Sequence, residues 1–247
     1  MVATESYDFV VTVLPCAIGS YTTVTTVDDI TMSVIDPAVT STSYEFIQTP
    51  VCGYPEVVTL TGLPSFVTHN VATRDFTIAP SDDSHIGIFT VDVVCKISVP
   101  DNPEKSSFTE YTQTDSFTIT IEPCMPTSFN IITPVADIFQ NVGAAGQTSN
   151  NYAFKQVPDC GLTPLVTVSN DPAFVSHMFF LFNFEVATVI DLSLIGRYDI
   201  TLDASIEFFN DATRSTKETL TASQTFTVFI EPCLIGSYIA SVNVPQV

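Results

Sequence analysis

One stretch, an alternation of apolar residues and threonine closed by Pro-Cys, constrains this chain more than any other: FTITIEPC (117–124) returns as FTVFIEPC (226–233) and, more weakly, as DFVVTVLPC (8–16). A period of two places alternate side chains on one face of a strand, and proline, with no N–H to give to a ladder, ends it. Each copy therefore reads as the last strand of one domain running into the next. The cysteines that end the copies, Cys16, Cys124 and Cys233, lie 108 and 109 positions apart. In 247 residues such a period specifies two domains, each long enough to bury its own core.

The rest of the chain keeps the period. Gln48, Pro50, Cys52 and Gly53 are answered by Gln156, Pro158, Cys160 and Gly161; Pro64, Phe66, Val67 and His69 are answered by Pro172, Phe174, Val175 and His177. One residue is then inserted in a connecting turn, so that Ile86-Gly87 is answered by Ile195-Gly196. Residues 1–15 are expected to be the closing strand of a preceding repeat, 16–123 the first repeat, 124–232 the second, and 233–247 the opening strand of a following one. LIGSY after Cys233 copies AIGSY after Cys16. Short β-branched runs with turn signals about every ten residues give about seven strands per repeat, and no apolar pattern of helical period persists. The fold class is all-β: two tandem β-sandwiches, with an extra strand at each end of the chain. Residues 100–115 and 209–224, being polar, are expected to form long hairpin loops.

Charge limits the partners. Against 27 acidic residues stand seven basic ones, a formal charge of −20 that repels phosphate backbones and anionic lipid, so neither nucleic acid nor membrane insertion is expected. No run of 18 apolar residues occurs, and the first residues, MVATESYDF, carry neither the basic nor the apolar region of a signal peptide. Compartment has to be argued from the cysteines.

Cys16 and Cys52, and again Cys124 and Cys160, are separated by 36 positions, and this symmetry favours the bonds Cys16–Cys52 and Cys124–Cys160. Such bonds belong to an oxidising, extracellular or cell-surface setting, with buried reduced thiols as the competing state; zinc lacks a CxxC or HxxxH spacing. Cys233 has no partner 36 positions on, so it is expected to pair with a following repeat or another subunit. Cys95, answered by Ala204, reads as a free buried thiol.

Little else carries chemistry. Asp28, Asp29, Asp82 and Asp83 are the best calcium candidates, but they lack ligand spacing, and solvated turn acids are the simpler reading. His69 and His177 stand at equivalent positions, which suits a structural role. Neither GxSxG nor a phosphate loop is present, so no catalytic residue, enzyme activity, metal or cofactor is expected. There is no N-x-Ser/Thr sequon. Hydroxyls at 20–26 and 40–43 could take O-linked sugars, though threonine on an exposed strand has β-propensity as its ordinary cause. The cluster Phe179, Phe180, Phe182 and Phe184 exceeds what one strand face buries; either part of it is an interface or it packs across a distorted strand.

The order Asp36-Pro37-Ala38, Gln-x-Pro-x-Cys-Gly-Tyr (48–54), Leu-Pro-Ser-Phe (63–66) and Ile-Gly-x-Phe-Thr-Val (86–91) resembles the cadherin-like and immunoglobulin-like repeats of large protist and metazoan surface proteins. The resemblance covers both repeats, although the second has Leu162 for Tyr54 and Asp171 for Leu63. It implies extracellular tandem modules used for adhesion or for surface fibres. The expected function is a non-enzymatic block of an extracellular fibre or rod, assembled end to end with copies of itself or further repeats, with strand exchange between neighbours. Phe9, Val11, Val13, Phe179, Phe180, Phe182, Ile235 and Tyr238 are the expected interface. The alternative is an adhesion ectodomain, stiffened by calcium, that binds a protein or glycan.

Overall fold

The computed structural model describes residues 4–5 and 7–233. The first sandwich contains nine strand segments: β1 Ser20–Thr25, β2 Ile30–Ser33, β3 Val39–Thr40, β4 Glu45–Thr49, β5 Val57–Thr61, β6 Val67–Asn70, β7 Asp75–Ile78, β8 Gly87–Pro100 and β9 Phe108–Glu122. Two pairs of segments are interrupted single strands. β1 runs antiparallel to β4 with Tyr21 opposite Gln48; after residues 26–29 the chain crosses to the other sheet, where β2 runs parallel to β9 with Ile30 opposite Ile119. β3 pairs with β7, and Ser41 N–H to Phe76 O (2.8 Å) and Tyr44 N–H to Arg74 O (3.1 Å) carry that pairing across the gap to β4.

Seven strands in two sheets result. One sheet joins β1 to β4 and β3 to β7 and β6; the other has the order β2-β9-β8-β5. This is the strand order of an immunoglobulin-like sandwich, and crossing between sheets lets the opening strand cover an edge of each. The second sandwich repeats it with β10 Ser128–Thr133, β11 Ile138–Asn141, β12 Gln147–Thr148, β13 Ala153–Val157, β14 Leu165–Ser169, β15 Val175–Met178, β16 Asn183–Val186, β17 Gly196–Phe209 and β18 Lys217–Glu231. Its sheets are β10-β13, β12-β16-β15 and β11-β18-β17-β14, with β11 again parallel to the closing strand.

Alternation explains the cores. Val91, Val93, Cys95 and Ile97 of β8 and Phe117, Ile119 and Ile121 of β9 are buried with Phe76 and Ile78 of the facing sheet. In the second sandwich Ile200, Leu202, Phe226, Val228 and Ile230 cluster with Phe184 and Val186. Burying each such side chain contributes about 1.5–3 kcal/mol.

One expectation needs correction. The polar stretches 100–115 and 209–224 are mostly strand: β8 and β9 continue to Pro100 and from Phe108, and β17 and β18 to Phe209 and from Lys217. Their alternating Thr, Tyr and Phe favour extended backbone, and polarity follows because these hairpin ends stand largely in water. Residues 7–15 form no ladder with any described strand, although their pattern is that of a strand. Alternation specifies a face; a strand also needs a partner for its hydrogen bonds.

Candidate functional site

Three of the four acids singled out for calcium accept hydrogen bonds within their own sandwich. At the crossing between sheets, Asp29 accepts from Thr118 N–H (2.7 Å) and Asp115 accepts from Val27 N–H (2.8 Å). The second sandwich does the same with Asp137 on Thr227 N–H (2.8 Å) and Gln224 on Val135 N–H (3.0 Å). Asp28 receives the Thr42 hydroxyl at 3.3 Å. Asp82 caps the 3-10 turn Asp83–His85 by accepting from Ser84 N–H (2.8 Å), and Asp191 caps Leu192–Leu194 through Ser193 N–H (2.8 Å). The Ser84 hydroxyl and N–H hold the Asp82 carboxyl below the ordinary range, and the Ser193 N–H and hydroxyl do the same for Asp191. Among the described residues no three His, Cys, Asp or Glu side chains gather as a metal requires.

The Gln-x-Pro-x-Cys-Gly motif is a clamp. Gln48 donates from Nε2 to Tyr54 O (2.6 Å) and accepts from Tyr54 N–H (3.1 Å), closing the loop after β4 into a ring with Gly53 at its left-handed position (φ 71°). Gln156 makes both bonds to Leu162 around Gly161 (φ 67°). Tyr54 adds a bond from its hydroxyl to Cys16 O (2.8 Å). That loop presents Cys52 to Cys16, and the two are bonded with Cα atoms 5.7 Å apart. Cys124 and Cys160 are likewise in disulfide linkage, Cys95 is free and buried, and Cys233 is free and exposed. Burial pushes the Cys95 thiol up, leaving it protonated beside the Tyr21 hydroxyl.

Sequence reasoning found the two histidines and missed what they touch. Tyr44 Oη lies 2.9 Å from His69 Nε2, and Tyr152 Oη lies 2.8 Å from His177 Nε2. The pairs stack on Phe76 and Phe184, with His-to-Phe centroids at 4.9 and 4.8 Å. The missed signal was available: Tyr44 and Tyr152 keep the 108-residue offset. Burial pushes the Tyr44 hydroxyl up to about 12. It also holds both imidazoles below their ordinary value, opposed by Asp75 at His69 and by Asp171 at His177, and His177 Nδ1 is buried with no partner. The unfolded chain takes up protons near pH 6.5 while the folded one stays neutral, so stability is complete above that pH and falls as the solution is acidified below it. Melting followed from pH 7 to pH 5 is expected to show a falling midpoint whose slope flattens in His69→Gln/His177→Gln. An unchanged slope in the double variant would refute this assignment.

The residues expected at an interface are exposed wherever they are described. Phe9, Val11 and Val13 are 85%, 71% and 78% exposed, whereas Phe117, Ile119 and Ile121, their repeat equivalents in β9, are 1% exposed or less. Ile235 and Tyr238 lie outside the described residues. Phe184 belongs to the core, while Phe179, Phe180, Leu181 and Phe182 form the turn between β15 and β16 and are exposed. Phe182 takes a positive φ (53°), as Arg74 does (57°) at the same place in the first sandwich.

No family model matches the chain, and no curated protein matches it in sequence. Similar solved structures include extracellular domains 3–5 of Drosophila OTK, at 9% identity over 87% of this chain and 63% of that one (TM-score 0.30). The titin domains Z1Z2, crystallised in complex with telethonin, align at 10% identity over 89% of this chain and 100% of that one (TM-score 0.45). Mouse cadherin-23 EC22–24 aligns at 9% identity over 84% and 63% (TM-score 0.34). The strand order of the chain itself, rather than any one of these overlaps, identifies each repeat as an immunoglobulin-like β-sandwich.

Proposed function

We propose that this chain is a non-enzymatic structural segment of an extracellular fibre or surface rod, built of tandem sandwiches that associate end to end. One observation carries the reading: residues 9–13 repeat the pattern of a closing strand, yet their apolar face is bare where the copies in β9 and β18 are buried. An unpaired strand of this composition is a template for β-augmentation, and a sheet of a neighbouring repeat is the surface it matches. The disulfide linkages of Cys16, Cys52, Cys124 and Cys160 support an oxidising, extracellular setting. The free, exposed thiol of Cys233 supports bonding to a neighbour of the same kind.

Electron microscopy of the native material, together with a Phe9→Asp/Val11→Asp variant, tests this. Rods or filaments are expected from the parent and short, unjoined particles from the variant. Monodisperse parent monomers, or joining that survives the two aspartates, would overturn it. A specific hit on a protein or glycan array by such monomers would favour an adhesion ectodomain instead.

A further inference from the structure

The turn between β15 and β16 departs from its counterpart in a coordinated way. Val71-Ala72-Thr73-Arg74 of the first sandwich become Phe179-Phe180-Leu181-Phe182 in the second. Beside this turn is an apolar cavity of about 280 Å³ lined by Tyr152, Ala153, Phe154, Pro164 and Phe182. The same positions in the first sandwich are Tyr44, Glu45, Phe46, Glu56 and Arg74, and Arg74 there pairs with Glu56 at 2.6 Å. Three charged side chains have thus given way to Ala153, Pro164 and Phe182. Turn and cavity are altered together, on one surface of one sandwich.

The turn is also held in place. Phe182 packs edge-on against Tyr152 (centroids 5.7 Å, 85°), Phe179 packs edge-on against His177 (4.0 Å, 60°), and Tyr152 N–H donates to Phe182 O (2.8 Å). With its two ends anchored, the turn leaves Phe180 99% exposed, while Phe182 two residues on lines the apolar cavity, whose volume of about 280 Å³ can take an aromatic side chain. A projecting aromatic and an apolar cavity on the same patch allow that patch to be self-complementary, the requirement for a two-fold symmetric contact.

We propose that this patch binds a second copy of the chain, with Phe180 of each copy seated in the cavity of the other. At 150–250 Å² per aromatic side chain, the four turn residues present roughly 500 Å² per copy, so two copies meet the lower bound of about 1,000 Å² for a specific interface. No member of the turn carries charge, so the contact avoids the repulsion that a net charge of −20 imposes elsewhere. This pairing does not rest on the end-to-end association proposed above.

Sedimentation velocity over a range of concentrations tests it, with the 247-residue chain carrying Cys233→Ser and Phe9→Asp/Val11→Asp as parent, since the aspartates remove the end-to-end association proposed above. This parent is expected to shift from one to two chain masses. Phe180→Asp is expected to weaken that association about 100-fold, since two symmetry-related hot-spot contacts are lost at once. Its side chain stands in water, so folding is unaffected, and its melting midpoint serves as the control. Ala153→Trp, in the cavity lining, is expected to weaken the association in the same way. A parent that stays monomeric, or a Phe180→Asp protein that pairs like the parent, would overturn the proposal. So would a monomeric parent that binds phosphatidylcholine vesicles through Phe180, which would make lipid the occupant.

Discussion

Phe76→Ala is expected to lower the stability of the first sandwich by about 3–5 kcal/mol, the cost of an aromatic cavity that its surroundings cannot fill. Phe76 is fully buried and packs on His69 at 4.9 Å, on Phe117 of the closing strand at 5.0 Å and on Tyr44 at 6.2 Å. It therefore joins both sheets, and its removal opens space between them. Because a domain of this size holds only about 5–15 kcal/mol in all, the loss corresponds to a melting shift of roughly 15 °C or more. Phe184→Ala should act equally on the second sandwich, where Phe184 meets His177 at 4.8 Å and Phe226 at 4.7 Å. Phe180→Ala, on the bare turn, should change stability by less than about 0.5 kcal/mol. Calorimetry of the three variants separates these outcomes. A Phe76→Ala protein that melts within a few degrees of the parent would refute the packing described.

Cys16→Ser/Cys52→Ser is expected to cost about 3–4 kcal/mol by a different route. The bond closes a loop of 36 residues and lies at the surface end of the sandwich, so cutting it removes little packing and chiefly frees the unfolded chain. The two mechanisms are separable in urea. The cavity variant should keep the slope of free energy against denaturant, while loss of the bond should steepen it because the unfolded chain expands. Unchanged stability and slope in the double serine variant would show that the Gln48 clamp and the Tyr54 hydroxyl already hold this loop, and that the bond contributes nothing.

Much of this is legible in the chain. The offset that aligns Cys16, Cys124 and Cys233 also aligns Phe66 with Phe174, His69 with His177 and Tyr44 with Tyr152, so the repeat, the all-β class and the core face of β8, β9, β17 and β18 follow from periodicity. The acids were harder to read. Asp29 and Asp115 lie 86 positions apart in sequence, yet both bond backbone N–H groups at one sheet crossing, and a bond between distant segments leaves no local pattern. Asp115 is answered by Gln224, a substitution that keeps the acceptor and loses the charge, so identity at the repeat offset conceals the shared role.

The Phe179–Phe184 cluster marks the limit most clearly. Composition alone shows too many aromatics for one face, and alternation alone sends Phe180, Phe182 and Phe184 the same way. The tertiary structure divides them, because a tight turn with a positive φ at Phe182 breaks the alternation, sending Phe184 to the core and Phe180 into water. The sequence by itself determined the repeat, most of the strands and the residues those strands must bury, since these depend on periodicity and local propensity. Only the tertiary structure decided which segments pair, which acids are occupied by backbone, and which apolar residues remain bare, because those depend on partners distant in the chain.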